Sequence, residues 1–303
     1  MHSPIEYAPR HRDHCFAHLR RGTRVKPINQ RPAAWQRGRA GAFALAILLG
    51  FSGAAANEGF KIGGSGTALG TMRLLANEFR VGNPDIAIST LPSLGSSGGI
   101  KAVLDEAIGL AVTSRPLDEA ERKRGAVETE YARTPFVFAV SAQSSVTAIT
   151  LTELADIYAG KMVAWADGSP VRIVLRPVSE IDTEIVKNMS ADMRRALPAA
   201  YARAGVRLSV SDQDAANDLE RIAGAIGPST LALIVSEKRA LRALTLDGMA
   251  PTPMNAAAGA YPHYKRLFFV TGARRPPAVE RFMAFVQSPA GRKILVGNGH
   301  WIP

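Results

Sequence analysis

An alternation of short apolar strands and amphipathic helices places the strongest constraint on what this chain can fold into. Segments 59–62, 86–91 and 109–113 have the apolar character of strands, and segments 69–79 and 99–107, which lie between them, have helical spacing. Strands joined by helices pair in parallel, and the helices cover the faces of the sheet. This βαβαβ order therefore predicts an α/β fold.

The rest of the chain continues the alternation. The apolar strand predicted at 135–140 is long enough to pass from one lobe to another. Thr150 and Glu153 have the spacing of a capping box, which predicts a helix that runs to Tyr158. Further strands are predicted at 171–175, 231–235 and 267–270, and further helices at 213–223 and at 278–296, the latter broken at Ser288-Pro289.

Residues 1–56 have the pattern of a secretory leader. A basic stretch that ends at Arg37 and Arg39 precedes the apolar run 41–51, and small residues follow up to Ala56. This order predicts a signal peptide cleaved after Ala56 and a periplasmic mature protein. The apolar run is about half the ~20 residues of a membrane-spanning helix. A short uncleaved anchor is the alternative.

Most of the formal net charge of +11 belongs to this leader. Residues 1–56 carry 9 of the 37 Lys and Arg residues and 2 of the 26 Asp and Glu residues, which leaves 28 against 24 for the body. A nearly balanced body without interleaved aromatic and basic residues argues against nucleic-acid binding. The single cysteine, Cys15, also lies in the leader, so the body has neither disulfides nor thiolate ligands.

Three Gly- and Ser-rich loops, at 63–67, 94–99 and 113–116, follow strands and precede helices. Such loops lie at the carboxyl ends of the strands, where open α/β sheets bind ligands. Backbone N–H groups at helix starts and nearby hydroxyls together form an anion site, although an ordinary strand-to-helix turn explains each loop alone. The candidate ligand-binding residues in these loops are Ser65, Gly66, Thr67, Ser96, Ser97, Gly98 and Ser114.

A fourth candidate segment begins at Arg176, which ends a predicted strand and could bind an oxyanion through two parallel hydrogen bonds. We expect Arg176 to face the loop that contains Ser96, and a structure with the two on opposite sides would exclude a shared anion site. The alternative is a surface arginine paired with Glu180 or Asp182. The segment adds Ser179, Asp182 and Thr183 to the candidates, with helix capping as the alternative role of the first two.

No catalytic residue, metal site or cofactor is predicted. The body contains two histidines, His263 and His300, which are far apart and belong to no metal-binding motif. A secreted hydrolase that uses Ser96 or Ser97 as nucleophile is an alternative from a different class of function. It lacks an evident base and orienting acid, and we therefore expect a protein that is not an enzyme.

Several of these segments resemble the phosphate-binding proteins of bacterial ABC importers, which have the class II periplasmic solute-binding fold. Gly63-Gly-Ser-Gly-Thr67 is similar to the first phosphate loop of that family, and Gly95-Ser-Ser-Gly-Gly-Ile100 is similar to its second. The segment Thr113–Leu117 resembles the stretch after the third strand. The run Thr152–Lys161, followed by Trp165, is similar to the helix-and-tryptophan signature of the family.

The resemblance implies two lobes joined by two hinge crossings, each lobe a mixed sheet flanked by helices. The lobe bounds would be 57–136 with 232–303 for the first lobe and 137–231 for the second. The implied function is the capture of a small oxyanion, with phosphate as the leading candidate, for delivery to the membrane subunits of an ABC transporter. The protein would be a monomer without a cofactor. A sensor or surface role, or another ligand, is the alternative on the same fold.

The sequence departs from that family at two places in the binding site. Ser114 stands where the phosphate binders carry an aspartate that accepts the proton of the ligand. Arg176 is kept, but Glu180 and Asp182 stand where the family has further donors. Either a fully ionised oxyanion such as sulfate is tolerated, or one of these two carboxylates accepts the proton of phosphate instead.

Overall fold

The computed structural model describes residues 59–303, so the predicted signal segment and Cys15 lie outside the described residues. No helix in 59–303 is long and apolar enough to cross a membrane. Eleven strands and eleven helices are described, in the order β1 (Gly59–Gly64), α1 (Gly66–Gly82), β2 (Ala87–Thr90), α2 (Gly95–Leu104), β3 (Leu110–Thr113), α3 (Glu119–Lys123), β4 (Val127–Ser141), β5 (Ala148–Ile149), α4 (Leu151–Ala159), β6 (Arg172–Leu175), α5 (Ile181–Asn188), α6 (Ala191–Ala202), β7 (Arg207–Leu208), α7 (Asp212–Arg221), β8 (Ala225–Thr230), α8 (Leu231–Ser236), β9 (Leu241–Ala243), β10 (Thr245–Leu246), α9 (Pro253–Ala257), β11 (Tyr264–Thr271), α10 (Pro277–Gln287) and α11 (Pro289–Gly297).

The first half of the main sheet has the strand order β2-β1-β3-β11-β4. Strand β1 pairs in parallel with both β2 and β3, and β11 runs antiparallel to β3 and β4. The predicted βαβαβ start is therefore confirmed. Parallel pairing brings the carboxyl ends of β1, β2 and β3 to the same edge of the sheet, together with the loops that follow them.

Strand β4 belongs to both halves of the sheet. Its residues 127–135 pair with β11, and residues 136–139 pair with β8. Strands β6 and β7 continue in parallel beyond β8 and complete the second half. The strand predicted at 135–140 is thus the carboxyl-terminal part of one 15-residue strand, which pairs with strands of both halves of the sheet.

Each half packs on its own apolar core. In the first half, α1, α10 and the sheet bury Met72, Phe269 and Phe282, among others. In the second half, Phe138 and Tyr158 pack with residues of α4 and α6. Residues from β9 to the start of β11 also contribute to this second core, namely Leu244, Leu246, Ala256 and Tyr261. The lobe bounds at 57–136 with 232–303 and at 137–231 stay a prediction.

One predicted strand is wrong. Residues Leu231–Ser236 form helix α8, and the strand in this region is β8, which ends just before it. The hydroxyl of Thr230 accepts a hydrogen bond from the backbone N–H of Leu233 and caps the helix. A five-residue apolar run cannot be assigned to a strand or to a buried helix from its periodicity alone. Pro228 made β8 hard to recognise, because proline is rare inside sheets.

The predicted helix boundaries near residues 150 and 288 are confirmed. At the start of α4, the Thr150 side chain accepts from the backbone of Glu153, and the Glu153 side chain accepts from the backbone of Thr150. The break between α10 and α11 falls at Ser288, whose hydroxyl caps α11, and Pro289 follows at the first helical position.

We predict that Gly64→Ala destabilises the protein by more than about 1 kcal/mol, because glycine adopts the backbone conformation at this position without strain and alanine does not. Gly64 ends β1 with φ of 126°, and a Cβ there would lie 2.0 Å from the carbonyl oxygen of Val112 in β3. The control is Gly82→Ala, where a Cβ would meet open space. Urea unfolding measures both variants. Equal stability of the two would contradict this account of the turn.

Candidate functional site

The serines of the three loops meet at the edge of the first half of the sheet. Ser114 follows β3, and its Oγ lies 3.2 Å from the Oγ of Ser65 and 3.2 Å from the Oγ of Ser96. The backbone N–H of Ser114 also donates to Ser96 Oγ at 3.0 Å. All three side chains are buried. The structure therefore brings together three loops that sequence analysis selected separately.

Close packing of α2 on β1 positions the second loop. A Cβ at Gly99 would lie 2.7 Å from the Cα of Gly64, so that glycine is required where the helix crosses the end of the strand. Helices α1 and α2 both begin at this edge of the sheet, after β1 and β2, and the first turn of a helix has backbone N–H groups without a partner inside the helix. Both helix starts carry the partial positive charge that favours an anion.

Arg176 comes from the second half of the sheet, directly after β6, and is only 3% exposed. Its Nη1 donates to the carbonyl oxygen of Ser209 at 2.6 Å, and its Nε donates to Asp182 Oδ2 at 3.2 Å. Nη2 lies 3.8 Å from a carboxylate oxygen of Asp212 and 3.9 Å from one of Glu180. The alternative of a surface arginine paired with Glu180 or Asp182 is wrong about the surface, because this guanidinium is buried, but the pairing with both carboxylates is present.

Lys265 and Asp212, which sequence analysis missed, connect Arg176 with the first loop. Lys265 on β11 donates to Thr67 Oγ1 at 3.1 Å, lies 3.4 Å from Asp212 Oδ1 and forms a short ion pair with Asp182. Thr67 in turn donates to Asp212 Oδ1 at 3.1 Å. Arg176, Lys265, Asp182, Asp212 and Glu180 form what we call the charged cluster. Through Thr67 and Asp212 it joins the second half to the first loop.

Strand alternation was the signal that could have identified Lys265. Residues 265, 267 and 269 of β11 share one face, and Leu267 and Phe269 are buried core residues. A lysine on the same face is therefore expected to be buried and paired. The first turn of α7 contains Asp212, and a carboxylate there is common in helices that start at the surface. No pattern in the sequence distinguished it.

Mutual pairing shifts the protonation equilibria of the cluster. Burial disfavours the charged form of Lys265, but Asp182 and Asp212 outweigh it and raise the pKa of the ammonium. Burial likewise disfavours ionised Asp212, but Lys265 and Arg176 hold its pKa below the usual range. Burial acts against the Arg176 guanidinium, and its carboxylate neighbours raise its pKa. Lys265, Arg176 and Asp212 thus each favour their charged form.

The pKa of Glu180 is shifted in the opposite direction to that of Asp212. Burial is the largest cause that raises its pKa; Arg176 opposes this rise, and Asp182 and Asp212 add to it. Its Oε1 lies 3.5 Å from the position of a Cβ at Gly95, so it faces the second loop. The structure therefore places an acid that ionises less readily than usual opposite the start of α2.

The remaining predicted site residues are placed less centrally. Ser97 is exposed and accepts a hydrogen bond from Nη2 of Arg115 at 3.0 Å, and Ser179 is also exposed. Thr183 is buried, but its hydroxyl donates to the carbonyl oxygens of residues 176 and 177 and so fixes the turn after β6. Gly66 and Gly98 lie in the first turns of α1 and α2. Ligand contact by these five residues, as by the other six predicted site residues, stays a prediction.

A cavity of about 470 Å³ opens beside Ser114 and Lys265. Its lining comes from the loop after β3, from α5 and from the start of β11, and it includes Ser114, Pro116, Ile181, Glu184, His263 and Lys265. In residues 59–303 no group of three His, Cys, Asp or Glu side chains is arranged to hold a metal ion. His300 is buried against Thr71 Oγ1 at 2.9 Å, far in sequence from His263.

Residues 50–290 match the family model of the PBP superfamily domain. The chain belongs to the PBP superfamily. A curated relative, the phosphate-binding protein PstS of Bacillus subtilis (strain 168), is 25% identical over 256 residues, which cover 82% of this chain and 81% of the relative. The α/β fold and the family resemblance expected from the sequence are thereby confirmed.

Solved structures show the same PBP fold. A Clostridium perfringens protein with bound phosphate, described as a candidate phosphate ABC transporter substrate-binding protein, superposes with a TM-score of 0.69 at 21% identity, covering 81% of this chain and 100% of that one. An ABC-type phosphate transport receptor from Vibrio cholerae superposes with a TM-score of 0.56 at 20% identity, covering 80% of this chain and 99% of that one. At these identities the likeness is one of fold.

We predict that Lys265→Met destabilises the protein by about 3–5 kcal/mol, because it leaves Asp182 and Asp212 buried with an insufficient countercharge. The control is Lys123→Met, which removes an ion pair with Glu119 whose side chains are 74% and 81% exposed. The control is expected to cost at most about 0.5 kcal/mol. Chemical unfolding at pH 7 measures both variants. Similar losses in the two would show that the Lys265 ion pairs contribute little.

We predict that Glu180→Gln stabilises the protein by about 0.5 kcal/mol at pH 7–8. The native state binds more protons than the unfolded state between the unfolded pKa of about 4.3 and the raised native pKa, so ionised Glu180 lowers stability above that window. The gain should disappear as the pH falls below about 4. Glu184→Gln is the control, because the side chain of Asn188 lowers the pKa of Glu184. A stabilisation that does not depend on pH would contradict the assignment.

Proposed function

We propose that this PBP superfamily member is an extracytoplasmic solute-binding protein that captures a small oxyanion between its two lobes. Phosphate is the leading candidate for that ligand. The observation that carries the proposal is the cluster of Ser65, Ser96 and Ser114 in the first half, together with buried Arg176 from the second half, which Asp212 links to Thr67 of the first loop. Hydroxyls, helix-start amides and one guanidinium are the donors that an oxyanion requires. The phosphate-binding relative adds support for phosphate.

The donor set is sufficient for useful affinity. Hydrogen bonds to a charged group contribute about 1.5–3 kcal/mol each. A few of them, after the cost of ordering the ligand and the loops, give about −8 kcal/mol, which corresponds to micromolar binding. Binding leaves the ligand chemically unaltered. The hydrogen-bond partner of Ser96 Oγ is Ser114 rather than a histidine, which disfavours the hydrolase alternative.

Glu180 is the acceptor that we propose for a protonated phosphate. Of the two carboxylates considered from the sequence, Asp182 is held by both Arg176 and Lys265. Glu180 is less tightly paired and faces the second loop at Gly95. A hydroxyl of the ligand can therefore donate to Glu180, which would favour phosphate over sulfate because sulfate carries no proton at neutral pH.

The cellular setting follows from the same proposal. A signal peptide at 1–56 would deliver the protein to the periplasm, and a monomer would pass its ligand to the membrane subunits of an ABC transporter. Hinge closure of the lobes at 57–136 with 232–303 and at 137–231 is the motion expected for this architecture. A sensor or surface role on the same fold is the second candidate, since the charged cluster departs from the donor set implied by the family resemblance.

Calorimetric titration of the purified protein with phosphate and with sulfate tests the proposal. We expect micromolar phosphate affinity and weaker sulfate binding. Arg176→Lys should weaken phosphate binding at least about tenfold, or 1.4 kcal/mol, because an ammonium cannot form parallel hydrogen bonds. Arg172→Lys on the same strand is the control, since Arg172 is exposed and donates to the carbonyl oxygen of Ala223.

Three results would count against this assignment. If neither anion binds at micromolar concentrations, the ligand belongs to another class. If Arg172→Lys weakens binding as much as Arg176→Lys does, the guanidinium after β6 is not part of the site. If Glu180→Gln leaves the preference for phosphate over sulfate unchanged, Glu180 is not the proton acceptor.

A further inference from the structure

A carboxylate of the protein itself lies against the first loop. Asp212 Oδ1 accepts a hydrogen bond from Thr67 Oγ1 at 3.1 Å and lies 3.4 Å from the Nζ of Lys265. Its other oxygen lies 3.8 Å from Nη2 of Arg176. A Cβ at Gly66 would lie 2.8 Å from Asp212 Oδ2, so the carboxylate touches the amino end of α1. Asp212 therefore contacts the hydroxyl donor of the first loop, Thr67, and both buried cations, Lys265 and Arg176.

The residue after Asp212 secures the same contact between the halves. Gln213 Nε2 donates to the carbonyl oxygen of Gly66 at 3.0 Å and to Glu237 Oε1 at 2.9 Å. Glu237 also accepts from Nη2 of Arg73 on α1 at 2.9 Å. Two adjacent side chains at the start of α7 are thus fixed to the first turn of α1, and the position of the Asp212 carboxylate is well defined.

The balance of charge makes simple addition of an anion unfavourable. The charged cluster holds two cations, Arg176 and Lys265, and three carboxylates, of which Asp182 and Asp212 make the close contacts with Lys265. A further anion on the same donors would leave two cations facing four negative groups in a buried site. Like charges in a low-dielectric site repel strongly, so one negative group must leave or be neutralised.

We infer that Asp212 is an internal counter-anion of the binding site, and that an oxyanion binds to Thr67, Lys265 and Arg176 in exchange for its carboxylate. The inference rests on the proposed oxyanion-binding function and names the residue that sets its affinity. The Asp212 carboxylate satisfies the donors before the ligand arrives and competes with it. Affinity is therefore lower than the donor set alone would give, and the competition falls most heavily on ligands of higher negative charge.

Asp212→Asn tests the inference by calorimetry. The amide still fits against Thr67 but no longer competes as an anion, so phosphate affinity should rise at least tenfold, and sulfate affinity should rise at least as much. Asp214→Asn on the same helix is the matched control. It makes the same change of charge, and within residues 59–303 the hydrogen bonds of the Asp214 side chain go to Ser211 at the helix cap, so affinity should stay unchanged.

Two further variants separate the charge of Asp212 from its shape. Asp212→Ser also removes the carboxylate and should tighten phosphate binding. Asp212→Glu retains the charge and should give no gain. Thermal melts establish that each variant is folded. A gain in Asp212→Asn and Asp212→Ser but not in Asp212→Glu supports the exchange.

The outcomes also separate this inference from the proposed function. If the unmodified protein binds phosphate and Asp212→Asn binds it equally or more weakly, the oxyanion function stands and the exchange is wrong. If folded Asp212→Asn binds phosphate while the unmodified protein does not, the competition by Asp212 is supported, but capture of phosphate by the unmodified protein is not. If neither binds phosphate or sulfate, the oxyanion function fails, and the inference fails with it.

Discussion

The ion pairs of Lys265 are the interaction on which the arrangement of this site depends. Lys265 lies on β11, where it pairs with Thr134 of the strand shared by both halves of the sheet. Its carboxylate partners, Asp182 and Asp212, come from two helices of the second half. A buried ammonium requires such partners, because an isolated charge in the interior is strongly disfavoured. The same contacts that stabilise the charge therefore set how the second half meets the first loop.

The site combines two kinds of donor with different consequences for binding. The serine hydroxyls and helix-start amides of the first half are neutral, and they can turn toward an anion without leaving a charge unpaired. The guanidinium of Arg176 and the ammonium of Lys265 already face carboxylates. An oxyanion in this member of the PBP superfamily would thus obtain its charged contacts only in competition with the protein's own acids. In the proposed exchange, selectivity for the charge of the ligand would follow from that competition.

Local sequence signals predicted the elements that carry the site. The βαβαβ order, the capping box at Thr150 and the three Gly- and Ser-rich loops were all readable, because each depends on residues close in the chain. The apolar run 231–235 was misread as a strand, since the hydroxyl of Thr230 caps it as a helix and short apolar runs fit either structure. Arg176 was found because it ends a strand, although its complete burial was not foreseen.

The sequence by itself determined the βαβαβ start, the three serine-bearing loops and the arginine after β6, because periodicity, glycine and capping act over a few residues. Only the tertiary structure decided that Lys265 and Asp212 belong to the site. Thr67 contacts Asp212 across 145 residues and Lys265 across 198. Such pairs form when strand pairing and helix packing bring distant segments together, and the charge state of the site is a property of that packing.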